Sequence, residues 1–175
     1  GVSIYDSDTD QKITLSASPY DWLEASFFYM NLEQRRLCRA YFNIRTYCEG
    51  YKDKGFNAKI RLKEEGIFPA IAIGAMDFAG TGKYSSEYIV SSYGVGNVDM
   101  HFGLAWGALG GSNKTIKNPL GYFKDSFYNR SGGYSGQGGG LNLNNYFSGQ
   151  NAAPFYGVSY SYNKNILLKI EKDTI

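Results

Sequence analysis

The chain holds only one histidine and two cysteines in 175 residues. It also lacks any segment with a helical period, and any apolar run of about eighteen residues, the length a transmembrane helix needs. Each shortage excludes something. Transmembrane helices are out, although a barrel strand, apolar only at alternate positions, remains allowed. A metal cluster or a Ser-His-Asp site would have to rest on His101 alone. A formal net charge of +2 gives no basic excess to suggest a nucleic-acid partner. Mean hydropathy is slightly negative, at −0.36.

What is present is alternation. In "VDMHFGLAWGAL", Val98, Met100, Phe102, Leu104, Trp106 and Ala108 share one parity, against Asp99, His101, Gly103, Ala105 and Gly107. That is strand periodicity with one apolar face. "KITLSAS", "LEASFFYM", "FNAKIRLK", "YGVSYSY" and "ILLKIEK" alternate likewise, and "IFPAIAIGAM" and "EYIVSSY" do so less cleanly. With a partial strand at "GVSIY" the count is about nine, in an all-β chain.

The connections narrow the fold. Tight turns follow Ser18, Glu64, Tyr93 and Tyr162, while longer links cover about 6–10, 31–53, 79–85 and 110–151. Short and long alternate strictly. This is the pattern of an antiparallel up-and-down transmembrane β-barrel, with short turns at one end and long outer loops at the other. An odd strand count and open ends predict that 1–175 is a single barrel region cut at both ends from a larger barrel. Tyr20, Trp22, Tyr84, Tyr93 and Tyr162 near strand ends suit an interfacial girdle. Charges of both signs occupy the polar parity: Lys12, Glu24, Lys59, Arg61, Lys63, Glu87, Asp99, His101, Lys169 and Glu171 are expected to face the lumen. Phe102, Leu104 and Trp106 are expected to face lipid. Alternation alone also fits a soluble, secreted β-sandwich that binds or hydrolyses polysaccharide, with the apolar face in a protein core.

No motif points to catalysis. "GTGKYS" resembles a phosphate loop but has Asp77 and Phe78 where the first glycine belongs, and Tyr84 in place of Ser or Thr. His101 has Asp99 two residues away, without a Gly-x-Ser-x-Gly elbow. Glu24, Glu87 and Asp99 could pair as acid and base, but the intervening lysines suit salt bridges better. The chain is therefore expected to be non-enzymatic, with no cofactor or metal.

Cys38 and Cys48, ten residues apart in a polar stretch, suggest a disulfide in an oxidising compartment, the alternative being two free thiols. The long loop holds ten glycines and the aromatic residues Tyr122, Phe123, Phe127, Tyr128, Tyr134 and Tyr146. These offer stacking surface to a saccharide; the alternatives are a phage-contacting surface, a plug folded into the lumen, or a spacer without a ligand. Two N-glycosylation-type triplets, at Asn113 and Asn129, are short enough to arise by chance.

The segments "SPYDWLEASFFY", "RLKEEGIFPAIAIGAMDFAGTGKYSSEYIVSS", "VDMHFGLAWGALGG" and "LLKIEKD" occur in the order found in YjbH-type exopolysaccharide-biosynthesis proteins, which the chain resembles over nearly its whole length. The resemblance implies a barrel in the outer membrane of a Gram-negative bacterium. It also implies a role in exopolysaccharide production or export, with outer-membrane lipid, the polysaccharide and other export components as partners. It supplies no catalytic residues. The cysteine pair and the length of the last loop have no counterpart in that pattern.

Overall fold

The computed structural model describes residues 1–7, 10–41, 45–82, 84–110, 115–131 and 143–174, with backbone alone at 33–41 and 45–49. Ten strands form: β1 (Val2–Asp6), β2 (Asp10–Tyr20), β3 (Leu23–Tyr41), β4 (Arg45–Lys63), β5 (Ala70–Phe78), β6 (Ser86–Val95), β7 (Val98–Gly107), β8 (Ile116–Lys117), β9 (Asn151–Asn163) and β10 (Ile166–Lys172). Nine of them lie in the order β1-β2-β3-β4-β5-β6-β7-β9-β10, and the two-residue β8 pairs with β9. Every pairing is antiparallel. The nine expected strands and their up-and-down order are thus present. Among the described residues nothing pairs the outer edges of β1 and β10, so the sheet is open rather than closed into a barrel.

Register shows which side chains share a face. One row runs Glu24–Lys59–Gly74–Tyr88–Ala105–Ala153 across β3, β4, β5, β6, β7 and β9. The next rows on that face include Arg61–Ala72–Val90–Gly103 and Ser92–His101–Gly157–Glu171. The opposite face carries Leu15–Phe27–Phe56 and Ile60–Ile73–Ile89–Leu104. The apolar face is the uncovered one. Met100 is 42% exposed and Phe102 55%, and Ile13, Leu15, Phe56, Leu62, Val158 and Leu168 are exposed with them. On the polar face Phe28, Tyr51, Asp53, Ala72 and Ala105 are buried. In a water-soluble sandwich the apolar face would be the covered one.

Three features depart from the sequence reading. The expected loop over 31–53 is strand: β3 and β4 run nineteen residues each and pair almost to their ends. Main-chain bonding sustains a two-stranded ribbon without an apolar stripe, so no alternation marked it. Second, Trp106 is not open to a surrounding medium but 2% exposed, because the segment after β7 folds back over it. Third, a register shift between Arg61 and Lys63 takes Lys63 off the polar row and sets it opposite Ile71, with its ammonium 4.4 Å from the Phe68 ring centroid.

The ribbon also places Cys38 directly opposite Cys48. Their side chains lie outside the described residues. Opposed Cα atoms on antiparallel strands are about 4.5–5.5 Å apart, inside the disulfide window of ~4.4–6.8 Å. We expect the bond to form and its reduction to lower stability by roughly 2–3 kcal/mol. Two reactive thiols in the denatured, unreduced protein would contradict this.

Candidate functional site

The polar face holds a concavity. Side chains from β3, β4, β5, β6 and β7 converge on one cavity of about 360 Å³, lined by Trp22, Glu24, Lys59, Arg61, Tyr88 and His101 among others. Glu24 and Lys59 are cross-strand partners, and Lys59 Nζ donates to Glu24 Oε1 at 2.9 Å. Arg61 Nη2 donates to Glu64 Oε1 at 2.9 Å, while its Nε is buried without an acceptor. Trp22 stacks on Tyr20 with centroids 5.4 Å apart and planes nearly parallel. Glycines make room for the larger rings. A Cβ on Gly74 would fall on the Tyr88 ring, one on Gly103 on the Phe155 ring, and one on Gly157 on His101. Tyr88 and Phe155 then meet edge to face at 6.3 Å.

The expected inward charges divide. Glu24, Lys59, Arg61, Asp99, His101, Lys169 and Glu171 lie on the concave face, and so does Lys12, whose ammonium sits 5.6 Å from the Phe28 ring centroid. Lys169 and Glu171 form an ion pair at 3.3 Å. Glu87 does not belong with them. It stands opposite Trp106, on the face of Ile89 and Leu104. Glu24, Glu87 and Asp99 are therefore not brought together: one is paired to Lys59, one is on the other face, and Asp99 sits in a different row beside Gly94. His101 lies against Gly157 with Glu171 next to it. No group of three metal-ligating side chains forms among the described residues.

Glu87 is the centre of a second constellation that sequence reasoning missed. It is 1% exposed. Arg130 donates to it from Nη1 at 2.7 Å and from Nη2 at 3.1 Å, and the Phe147 N–H adds a bond at 3.0 Å. The same guanidinium donates to the carbonyls of Ser85 and Asn145. Beside this, Trp106 Nε1 donates to Asn118 Oδ1 at 2.9 Å. The Asn118 amide in turn donates to the carbonyls of Phe127, Phe147 and Gly149. Phe147, held at φ +55°, meets the Trp106 ring edge-on at 5.3 Å. These bonds clamp the described parts of 110–151 onto the end of β6 and β7. One local signal was available: Asn118 before Pro119 is a cap-and-first-turn pair, and Asn118 Oδ1 does accept from the Leu120 N–H.

We expect Trp106→Phe, which keeps the ring on Phe147 but removes the donor to Asn118, to destabilise the fold by about 1–2 kcal/mol. Denaturant unfolding followed by near-UV circular dichroism measures it. An unchanged midpoint would mean that this bond does not hold the loop.

The loop aromatics separate by exposure. Tyr122 and Phe123 are open to solvent. Tyr128 covers Gly121, with Lys117 Nζ 4.6 Å from its ring centroid. Phe127 supplies a carbonyl to the clamp. Burial, reinforced by the Glu87 charge, pushes the Tyr146 phenol above its ordinary pKa. Tyr134 lies outside the described residues. At the same end of the sheet Asp53 and Asp77 are buried beneath the Gly80 loop, Asp53 accepting from Thr81 Oγ1 at 2.8 Å and Asp77 from the Tyr84 N–H at 3.0 Å.

Comparison with known proteins gives a family and no further detail of the site. No solved structure matches the chain. An Escherichia coli (strain K12) protein named "Uncharacterized lipoprotein YjbH" is 37% identical over 164 residues, which is 91% of this chain and 22% of the relative. The chain thus spans about a fifth of that relative's length. The family model described as exopolysaccharide biosynthesis protein YbjH matches residues 1–175. With its full length inside that match, the chain belongs to the YjbH family of exopolysaccharide biosynthesis proteins.

Proposed function

We propose that this sheet is a wall section of a β-barrel in the outer membrane of a Gram-negative bacterium. In this reading it contributes without catalysis to exopolysaccharide production or export. The observation that carries the reading is the inversion of faces: the apolar parity is exposed on strand after strand, while the polar parity lines a concavity. In water so large an apolar surface would promote association. Against lipid it is at equilibrium. β5, β6 and β7, at nine or ten residues, fit the dimension. Ten residues at about 3.4 Å each, tilted ~40°, span roughly 25 Å, the height of a barrel's apolar band.

The remaining elements take places in the same picture. The nineteen-residue ribbon of β3 and β4 exceeds the band and projects beyond it on the side of the longer connections. The clamped loop caps the same end. The free edges of β1 and β10 pair with further strands, so that the bonding groups of the sheet edges are satisfied inside the membrane. The E. coli relative is called a lipoprotein, which agrees with membrane association. The partners are lipid on the apolar face, an exopolysaccharide strand on the polar face, and other components of the export system.

Extraction tests the proposal. The intact protein should enter the detergent-soluble membrane fraction and shift its gel migration when boiled, as folded barrels do. Recovery in the aqueous fraction with no shift would favour the soluble sandwich instead.

A further inference from the structure

The cavity on the concave face has the makings of a ligand site, and its chemistry selects among polysaccharides. Its volume of about 360 Å³ falls within the range of small-molecule pockets. Trp22 gives one ring face to Tyr20 and is half exposed, so the other face is open to a ligand. Tyr88, seated over Gly74, lines the same cavity. Flat aromatic faces take the apolar face of a pyranose ring.

The charges are unequally occupied. Lys59 is neutralised by Glu24 across the strands. Arg61 is only partly engaged: Glu64 reaches it from outside the lining through Nη2 alone, and Nη1 makes no bond among the described residues, while Asp21 joins Glu24 as the second carboxylate of the lining. A carboxylate is the acceptor that best suits a guanidinium nitrogen left without a partner. We propose that this cavity is a subsite for one acidic pyranose unit of a polysaccharide, its ring on Trp22 and Tyr88 and its carboxylate on Arg61. The proposal rests on the reading of the concave face as the polysaccharide side of the wall.

Two probes separate the possibilities, both titrated into the intact protein in detergent: a galacturonic acid hexamer and a neutral cello-hexamer. The acidic oligomer is expected to bind about 10-fold tighter, with an advantage that shrinks as salt is raised. Arg61→Gln should abolish that advantage and bring the acidic oligomer to the affinity of the neutral one, Arg61→Lys should retain part of it, and Trp22→Ala should weaken both oligomers about 5-fold. Heat-modifiable migration of each variant establishes that it has folded. Equal affinity for the two oligomers overturns the assignment, as does binding of neither, or an acidic preference that survives Arg61→Gln in a folded variant. Each of these results leaves the membrane-wall reading standing, because that reading is decided by extraction and not by binding.

Discussion

Arg130→Met is expected to destabilise the protein by about 3–5 kcal/mol, the cost of removing one partner of a buried ion pair. Glu87 lies on the apolar face, opposite Trp106, and is almost wholly buried. Without Arg130 its carboxylate would keep the Phe147 N–H and a long contact to the Ser85 hydroxyl, and no cation. The variant also takes one donor from each of the carbonyls of Ser85 and Asn145, which keep the Ala108 N–H and the Ser148 hydroxyl. Urea unfolding of the protein in detergent, read from the midpoint at constant slope, gives the value. Adding Glu87→Gln should recover a substantial part of the loss, since the second change removes the uncompensated charge. A loss below ~1 kcal/mol for Arg130→Met would place the pair among surface bridges and dissolve the clamp as an account of the loop.

Leu104→Arg is expected to cost about 2–4 kcal/mol in lipid, where charge placed mid-strand on a lipid-facing position meets hydrocarbon. Leu104 is flanked by Ile89 on β6 and Pro154 on β9, all on the exposed apolar face. At Gly103, one residue along, the cause changes: a side chain would collide with the Phe155 ring on the concave face. The two positions therefore respond to different variables. Leu104→Arg should grow less costly when the bilayer is replaced by a water-rich micelle surface, and Gly103→Ala should not. Refolding equilibria in vesicles and in detergent measure both. If Leu104→Arg were neutral in vesicles, position 104 would not face lipid.

Much of the sheet could be read in advance, because alternation is a local property and each strand displays it within its own sequence. Register confirms the meander strand by strand, but not the strict alternation of tight and long connections: β4 starts at Arg45, soon after β3 ends at Tyr41, whereas β4 ends at Lys63 and β5 starts only at Ala70. What escaped was non-local. Glu87 was placed by its charge, yet its parity follows Ile89, and only an arginine forty-three positions on makes that side tolerable. Trp106 has the parity of an outward residue and is covered by a segment that returns from Asn118 and Phe147. The part of the β3–β4 ribbon within 31–53 has no hydrophobic period, since its pairing is made by the backbone. Arg61 was one expected lumen charge among ten, and that Glu64 takes Nη2 and leaves Nη1 open depends on the fold of the turn after β4.

Cysteine labelling along β7 in a reconstituted bilayer tests the central claim most directly. With Cys38 and Cys48 replaced by serine, the variants Asp99→Cys, Met100→Cys, His101→Cys and Phe102→Cys sample both parities of one strand. The account predicts that a charged, water-soluble thiol reagent modifies the sulfur at 99 and 101 and spares 100 and 102. A dye attached through lipid at 100 and 102 should be quenched by brominated acyl chains, and one at 99 and 101 should not. Equal modification at all four positions, or quenching at none, would contradict a sheet whose apolar face meets lipid.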